Sequence, residues 1–248
     1  MEDDFLSVDE ASRLRALASS ALALAGPTLP GPSIFDPASG LVRLSGGRLA
    51  NAWRGVAGSP PLRAPPADLD LYASVLRRIE ARVAASWPHA LANLTAPSFV
   101  SRIIGAEDWR AASVHDQYYH PHADGLNTDH YHYSVLLYLS HFGEDFTGGR
   151  LRFYSREPRP GGGGPEGGGS SGDVIIEPRV GRLVMFTSGA ENWHRVEPVR
   201  AGERFVLSVW LTCDAERAFA PRVDGSAHLD FSGGARLDAG DDPGGEEL

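Results

Sequence analysis

Two different spacings of apolar residues divide this chain. Before Ser98 they follow a helical period, and after it they fall into short β-branched and aromatic runs broken by Gly, Pro, Asn and Ser. Ser7-Val8-Asp9-Glu10 reads as a capping box, with Ser7 as N-cap and Glu10 reaching back, and Gly26-Pro27 supplies the stop. A long Pro/Gly-rich connection follows. A second helix is predicted from about Asp68 to Ser86, with Leu69, Tyr72, Leu76, Ile79 and Val83 on one face and Trp87-Pro88 ending it. Strands are predicted over Phe99–Ile104, Val114–Tyr119, His132–Leu139, Arg150–Tyr154, Val174–Ile176, Arg182–Phe186 and Arg204–Leu211. Two helices followed by about seven or eight strands argue against a parallel βαβ sheet. They favour a mainly β chain with flanking α, a sandwich or jelly roll with both N-terminal helices packed on one face.

Composition narrows the possibilities. The 29 glycines and 18 prolines exceed ordinary usage and gather in the connections. Residues 161–172 read as a flexible Gly-rich insertion between two strands; they hold no lysine and lead into a strand, so they are not a phosphate-binding loop. The Gly- and acid-rich tail, 222–248, has too little apolar content to offset its ordering entropy and is expected to be disordered. A net charge of -9 without a basic stripe makes nucleic acid a poor partner. Cys213 is the only cysteine, which excludes an internal disulfide and a cysteine-based zinc site. No run reaches the eighteen or so apolar residues that cross a bilayer. The apolar stretch from Leu14 to Ala25 follows Glu2, Asp3 and Asp4 where a signal peptide carries positive charge, so helix is the better reading. The expectation is a chain soluble as given, cytoplasmic by default, and associated with the endoplasmic reticulum or a membrane if a further N-terminal segment precedes it.

The candidate chemistry is a triplet and two distant residues: His122-Ala-Asp124, His194, and Arg204 ten residues further on. On a strand, residues two apart point the same way, so His122 and Asp124 could grip one ion. Two imidazoles and a carboxylate leave positions open on iron(II), whereas zinc prefers a closed tetrahedron or one open position. Six of the nine histidines lie between His115 and His141, so His115, His120, His130, His132 and His141 are rival ligands. His120 would share a strand face with the triplet, and His130 and His132 would flank the site. Gly148-Gly149 reads as a tight turn.

Several motifs fall in one order: Tyr119-His-Pro-His-Ala-Asp124, Gly148-Gly149-Arg150-Leu151-Arg152-Phe153, Gly181-Arg-Leu-Val-Met-Phe186, Glu191-Asn-Trp-His194, and Gly202-Glu-Arg204 with Ser208 and Trp210. Together they resemble the prolyl hydroxylase branch of the iron(II)/2-oxoglutarate dioxygenases, over about residues 2–215. Ser188-Gly-Ala-Glu-Asn192 and arginine at 204 are similar to the prolyl 3-hydroxylases. Glu144-Asp-Phe-Thr-Gly-Gly149 and Val174-Ile-Ile-Glu-Pro-Arg-Val-Gly181 resemble the 2-oxoglutarate and iron-dependent oxygenase domain-containing protein 3 group. The resemblance implies a double-stranded β-helix core and an oxidoreductase that hydroxylates an unactivated carbon and releases succinate and CO2. It implies iron(II) held by His122, Asp124 and His194, 2-oxoglutarate as cosubstrate, and L-ascorbate as reductant. Arg204 would pair with the distal carboxylate through two parallel hydrogen bonds, Tyr119 and Ser208 would contribute hydroxyls, and Trp210 would line the substrate pocket. A peptide or protein substrate, with proline among the candidates, is the implied partner; oligomeric state is left open. The alternatives are a non-catalytic metal-binding jelly-roll module, which would bind metal without cosubstrate, and a structural interaction domain, which would bind neither.

Overall fold

The computed structural model describes residues 1–56, 59–111, 116, 118–158 and 171–219. Helix α1 spans Val8–Ala25 and carries the predicted capping box. Glu10 N–H donates to Ser7 Oγ at 3.2 Å, and Ser7 N–H donates to Glu10 Oε2 at 2.8 Å. Its buried residues Ala11, Leu14, Leu17, Ala18, Ala21, Leu22 and Ala25 make one helical stripe. Helix α2 spans Pro66–Ser86, beginning two residues before the predicted start because proline suits the first helical turn. Tyr72, Val75, Leu76, Ile79 and Val83 are fully buried along it. No helix among the described residues is long and apolar enough to cross a membrane.

The Pro/Gly-rich connection between the helices holds three strands that the sequence pattern does not announce: β1 Gly31–Phe35, β2 Leu41–Arg43 and β3 Leu49–Asn51. Pieces this short show almost no alternation. Then follow β4 Asn93–Ile104, a one-turn helix α3 Asp124–Asn127, β5 Tyr133–Tyr138, β6 Phe146–Gly148 and β7 Leu151–Phe153. The chain ends with β8 Val174–Ile176, β9 Leu183–Thr187, β10 His194–Val196 and β11 Val199–Thr212. The strand expected over Val114–Tyr119 is not seen at its C-terminal end, where Tyr118 and Tyr119 lie in a turn. Residues 112–115, most of the 161–172 insertion and the 222–248 tail lie outside the described residues.

Among the described residues, all pairs between these strands are antiparallel. The large sheet runs β3-β2-β1-β4-β11-β5-β9, with β6 beside one end of β11, and a small sheet runs β10-β7-β8. This is the expected jelly-roll arrangement, with α1 and α2 on one face of the large sheet. Alternation along β11 decides what faces where. Phe205, Leu207, Val209 and Leu211 enter the core shared with α1 and α2, and Arg204, Val206, Ser208 and Trp210 line a cavity on the other face. Burying each large apolar side chain is worth roughly 1.5–3 kcal/mol. A one-residue slip of β11 would invert both sets, so the helix-side core also fixes the cavity lining. At the sheet edge, Glu2 pairs with Leu183 of β9 and Asp3 accepts from Arg182 Nη2 at 2.9 Å, so the N-terminal segment covers part of that edge.

Candidate metal and cosubstrate site

The cavity, about 420 Å³, is lined from both sheets. His122 is not in a strand. It makes a single antiparallel bridge with His194, His122 N–H donating to His194 O at 2.9 Å and His194 N–H to His122 O at 2.8 Å. Ala123 keeps an extended backbone, and Asp124 then opens α3. The expected strand is thus reduced to the residues that make the triplet, and the short extended stretch still turns both side chains inward. One ligand atom from each of His122, Asp124 and His194 lies within 4.8 Å of the others. Among the described residues no other group of three His, Cys, Asp or Glu side chains converges in this way.

Each ligand is held by its far side. His122 Nδ1 lies 2.8 Å from His120 O, and His194 Nδ1 lies 2.9 Å from Asn192 O. A carbonyl only accepts, so both rings carry a proton on Nδ1 and turn Nε2 toward the site, where a metal would take the place of any proton there. The rings stand 4.4 Å apart, with Phe153 and Phe186 against His194. Asp124 Oδ1 is 3.4 Å from His122 Nε2, and Oδ2 is 3.9 Å from His194 Nε2. Burial raises the Asp124 pKa, but the hydrogen bond from His122, the two histidine charges and the Ser134 hydroxyl outweigh it and hold the carboxyl well below its ordinary range. His194 is pushed down to about 4, by burial first and then by the charge of His122, and is neutral near pH 7. For His122, burial lowers the pKa and the Asp124 carboxylate more than restores it, so the net shift is upward.

Arg204 sits on β11 with 1% exposure. Its Nε donates to Gly149 O at 2.9 Å, and its guanidinium lies over the Tyr138 ring at 5.4 Å. Nη2 and the neighbouring Tyr138 hydroxyl are both buried without a hydrogen-bond partner. Burial lowers the Arg204 pKa from its ordinary value, with Tyr138 and Tyr118 opposing. Arg204 lines the cavity, and a desolvated cation with an unpaired N–H beside a cavity suits an anion. Gly148-Gly149 is more than a tight turn: at φ 66° Gly149 anchors Arg204, and a Cβ there would stand 3.0 Å from Arg204 Cδ.

The other expected residues divide. Ser208 lies on the Arg204 face and lines the cavity. Trp210 lines it too, but its indole N–H also donates to Asp124 Oδ2 at 3.1 Å, a contact the sequence does not disclose. Tyr119 lies beside the cavity, lining a neighbouring hollow with Trp109 and Arg110; it is Tyr118 that reaches the cavity wall, its Oη accepting from Val199 N–H at 3.0 Å. The role expected of Tyr119 rests on the resemblance alone, since Tyr118 and Tyr119 lie in a turn where no strand parity applies. His120 does not share the ligand face: it is exposed and stacks on Tyr119. His130 Nδ1 faces Asp129, His132 Nδ1 accepts from Cys213 N–H, and His141 Nδ1 contacts Phe142 O. His115 is outside the described residues. Sequence reasoning missed Tyr138, Ser134 and Ser188. For Ser134 and Tyr138 the signal is the parity they share with Leu136 on β5, legible once that strand's inner face is known; Ser188, just past β9, occurs in the sequence only within a motif and with no role attached.

Two imidazole Nε2 atoms and a carboxylate oxygen fit a divalent first-row ion such as iron(II) with positions left open, and the unpartnered Arg204 Nη2 fits a carboxylate ligand. Known proteins agree with this geometry. Residues 109–212 match the model of the 2OG-Fe(II) oxygenase superfamily. The chain is 35% identical over 218 residues to a 2-oxoglutarate and iron-dependent oxygenase domain-containing protein 3 of Xenopus tropicalis, covering 87% of this chain and 63% of that protein. The human protein of the same name is 33% identical over 216 residues, covering 86% of this chain and 62% of that protein. The chain therefore spans a little under two thirds of the length of these relatives. In fold it is similar to a Trichoplax adhaerens prolyl hydroxylase solved with a hypoxia inducible factor peptide fragment, at TM-score 0.52 and 19% identity over 87% of this chain and 84% of that one. The His122, Asp124, His194 and Arg204 quartet thus falls inside residues 109–212, the segment that matches the 2OG-Fe(II) oxygenase superfamily.

Proposed function

We propose that this chain is an iron(II)- and 2-oxoglutarate-dependent dioxygenase that hydroxylates an unactivated carbon of a peptidyl substrate, with release of succinate and CO2. The observation that carries the reading is the pairing, in one cavity, of a convergent His122, Asp124 and His194 with a buried Arg204 whose Nη2 has no partner. His122 and His194 would hold the metal through Nε2, and Asp124 through a carboxylate oxygen. Bound iron(II) with 2-oxoglutarate supplies oxygen activation coupled to decarboxylation of the cosubstrate.

The residues of the chain orient and shelter that chemistry. Arg204, tethered through Nε to Gly149, keeps Nη2 for the distal carboxylate, and Tyr138 and Ser208 offer hydroxyls beside it. Tyr119 would act from the adjoining hollow by shaping the wall that Tyr118 shares with it. Beyond the metal end, Ile34, Phe99, Ser101 and Ile103 floor the cavity across β1 and β4 and would receive the reacting side chain, with Trp210 as a side wall. Ascorbate as reductant and a peptide as substrate follow from likeness to prolyl hydroxylases; the Trichoplax enzyme's peptide fragment supports the second. The test is succinate formation with iron(II), 2-oxoglutarate and ascorbate, with and without proline-containing peptides. Iron-dependent succinate that His122→Ala and Arg204→Ala both abolish is expected. Metal binding with no 2-oxoglutarate affinity would instead identify a non-catalytic metal-binding module.

A further inference from the structure

We infer that Ser134 and Trp210 are positioning residues that hold Asp124 as a single-oxygen ligand, with Ser188 fixing the direction of the Ser134 hydrogen bond; this rests on the metal-site reading above. Asp124 Oδ2 accepts from Ser134 Oγ at 2.6 Å and from Trp210 Nε1 at 3.1 Å. An ionised carboxylate only accepts and an indole N–H only donates, so both donors are committed and Oδ2 has both lone-pair directions engaged. Oδ1, on the side of His122 Nε2, is the oxygen left for a metal. With its single hydrogen given to Asp124, Ser134 can only accept from Ser188, whose Oγ lies 2.7 Å away. The polar chain therefore runs one way, from Ser188 to Ser134 to Asp124.

The fold builds this arrangement firmly. Ser134 on β5 and Trp210 on β11 are direct cross-strand partners, so neighbouring strands deliver the two donors to the same oxygen. Ser134 and Ser188 are each 1% exposed. The Trp210 indole is clamped by Tyr131 at 5.0 Å, nearly parallel, and by Phe99 at 5.3 Å. A carboxylate fixed in this way cannot rotate to bind an ion through both oxygens, and so leaves more of the ion's coordination sphere open. Partners of metal ligands commonly govern affinity by 10–100-fold.

Cobalt(II) titration of the full chain, followed by its visible ligand-field absorption, tests the inference without turnover. Ser134→Ala and Trp210→Phe should each weaken cobalt(II) binding by roughly 10–100-fold and change the absorption band, while metal-free thermal unfolding stays close to that of the unaltered chain. Ser134→Thr, which keeps the hydroxyl, should restore affinity, and Ser188→Ala should cause a smaller loss of about threefold to tenfold. If Ser134→Ala fails to fold, Trp210→Phe, which keeps an aromatic ring between Tyr131 and Phe99, decides the matter. Affinity within twofold and an unchanged band in the folded variants would overturn the inference while leaving the metal site standing. No cobalt(II) binding by the unaltered chain would overturn the metal-site reading and this inference with it.

Discussion

Arg204 shows how much one side chain can specify. Its Nε is committed to Gly149 O and its Nη2 is unpaired, so the guanidinium is fixed at one end and available at the other. Lysine in its place would keep the charge and lose both the tether and the planar fork. Arg204→Lys is expected to weaken 2-oxoglutarate binding by about 10–100-fold, the equivalent of roughly 1.5–3 kcal/mol for a charged hydrogen bond, with cobalt(II) affinity unchanged. Paired equilibrium titrations measure both; equal 2-oxoglutarate affinity in the two proteins would remove Arg204 from the site. At this scale the sequence was legible where the chemistry is unusual. A His-x-Asp triplet, a later histidine and an arginine on a strand face have few other reasons to occur in that order. Ser134 and Tyr138 were not legible, because a hydroxyl in an apolar strand becomes significant only when its cross-strand neighbour is known, and Ser188 lies just past β9, where no strand parity places it.

Among the elements, β11 carries the most consequence, since one face joins the helix core and the other lines the cavity. Leu207 is fully buried on the helix side, and Leu207→Ala is expected to cost about 2–5 kcal/mol in denaturant unfolding. A cost under 1 kcal/mol would mean that β11 is not packed as described. The small sheet is joined by charge. Glu197 follows β10 and accepts from Arg150 Nε at 2.7 Å on one side of β7 and from Arg152 Nη2 at 3.1 Å. Burial raises the Glu197 pKa, but the two arginines outweigh it, so the carboxyl titrates below the ordinary glutamate range. The folded state therefore binds this proton less readily than the unfolded chain. The stabilisation is fully present above about pH 5 and is lost as pH falls through the lowered folded value. Glu197→Gln should lower stability at pH 7 by roughly 1–3 kcal/mol and flatten the acid limb below pH 5; an unaltered acid limb would show that the pair contributes nothing. Long elements with clear periods, α1, α2, β5 and β11, were readable from the sequence. The strands β1, β2 and β3 were not: they are five, three and three residues long, set among glycines and prolines.

Across the whole molecule, the order of helices first and strands afterwards was enough to indicate a sandwich or jelly roll with helices on one face, because antiparallel strands need no helical crossovers, and the resemblance narrowed this to the jelly roll. The shape of the cavity was not readable, since part of its floor comes from the unannounced strands. Pro32, Ile34 and Arg43 lie outside residues 109–212 and yet line the same cavity as the His122, Asp124 and His194 group. Arg43 is held there by Asp116 at 2.9 Å. The convergent His122, Asp124 and His194 group thus lies in the segment that matches the superfamily, and part of the cavity wall lies outside it. Ile34→Trp is expected to change which peptides stimulate succinate formation while cobalt(II) and 2-oxoglutarate affinities stay within twofold; a loss of metal binding would show that the wall and the site are not separable. The central claim, that the quartet binds iron(II) and 2-oxoglutarate together, is tested most directly by anaerobic titration of the chain with both. A visible metal-to-ligand charge-transfer band is expected, absent in His122→Ala and needing more 2-oxoglutarate in Arg204→Lys; no band from the unaltered chain at saturating iron(II) and 2-oxoglutarate would contradict it.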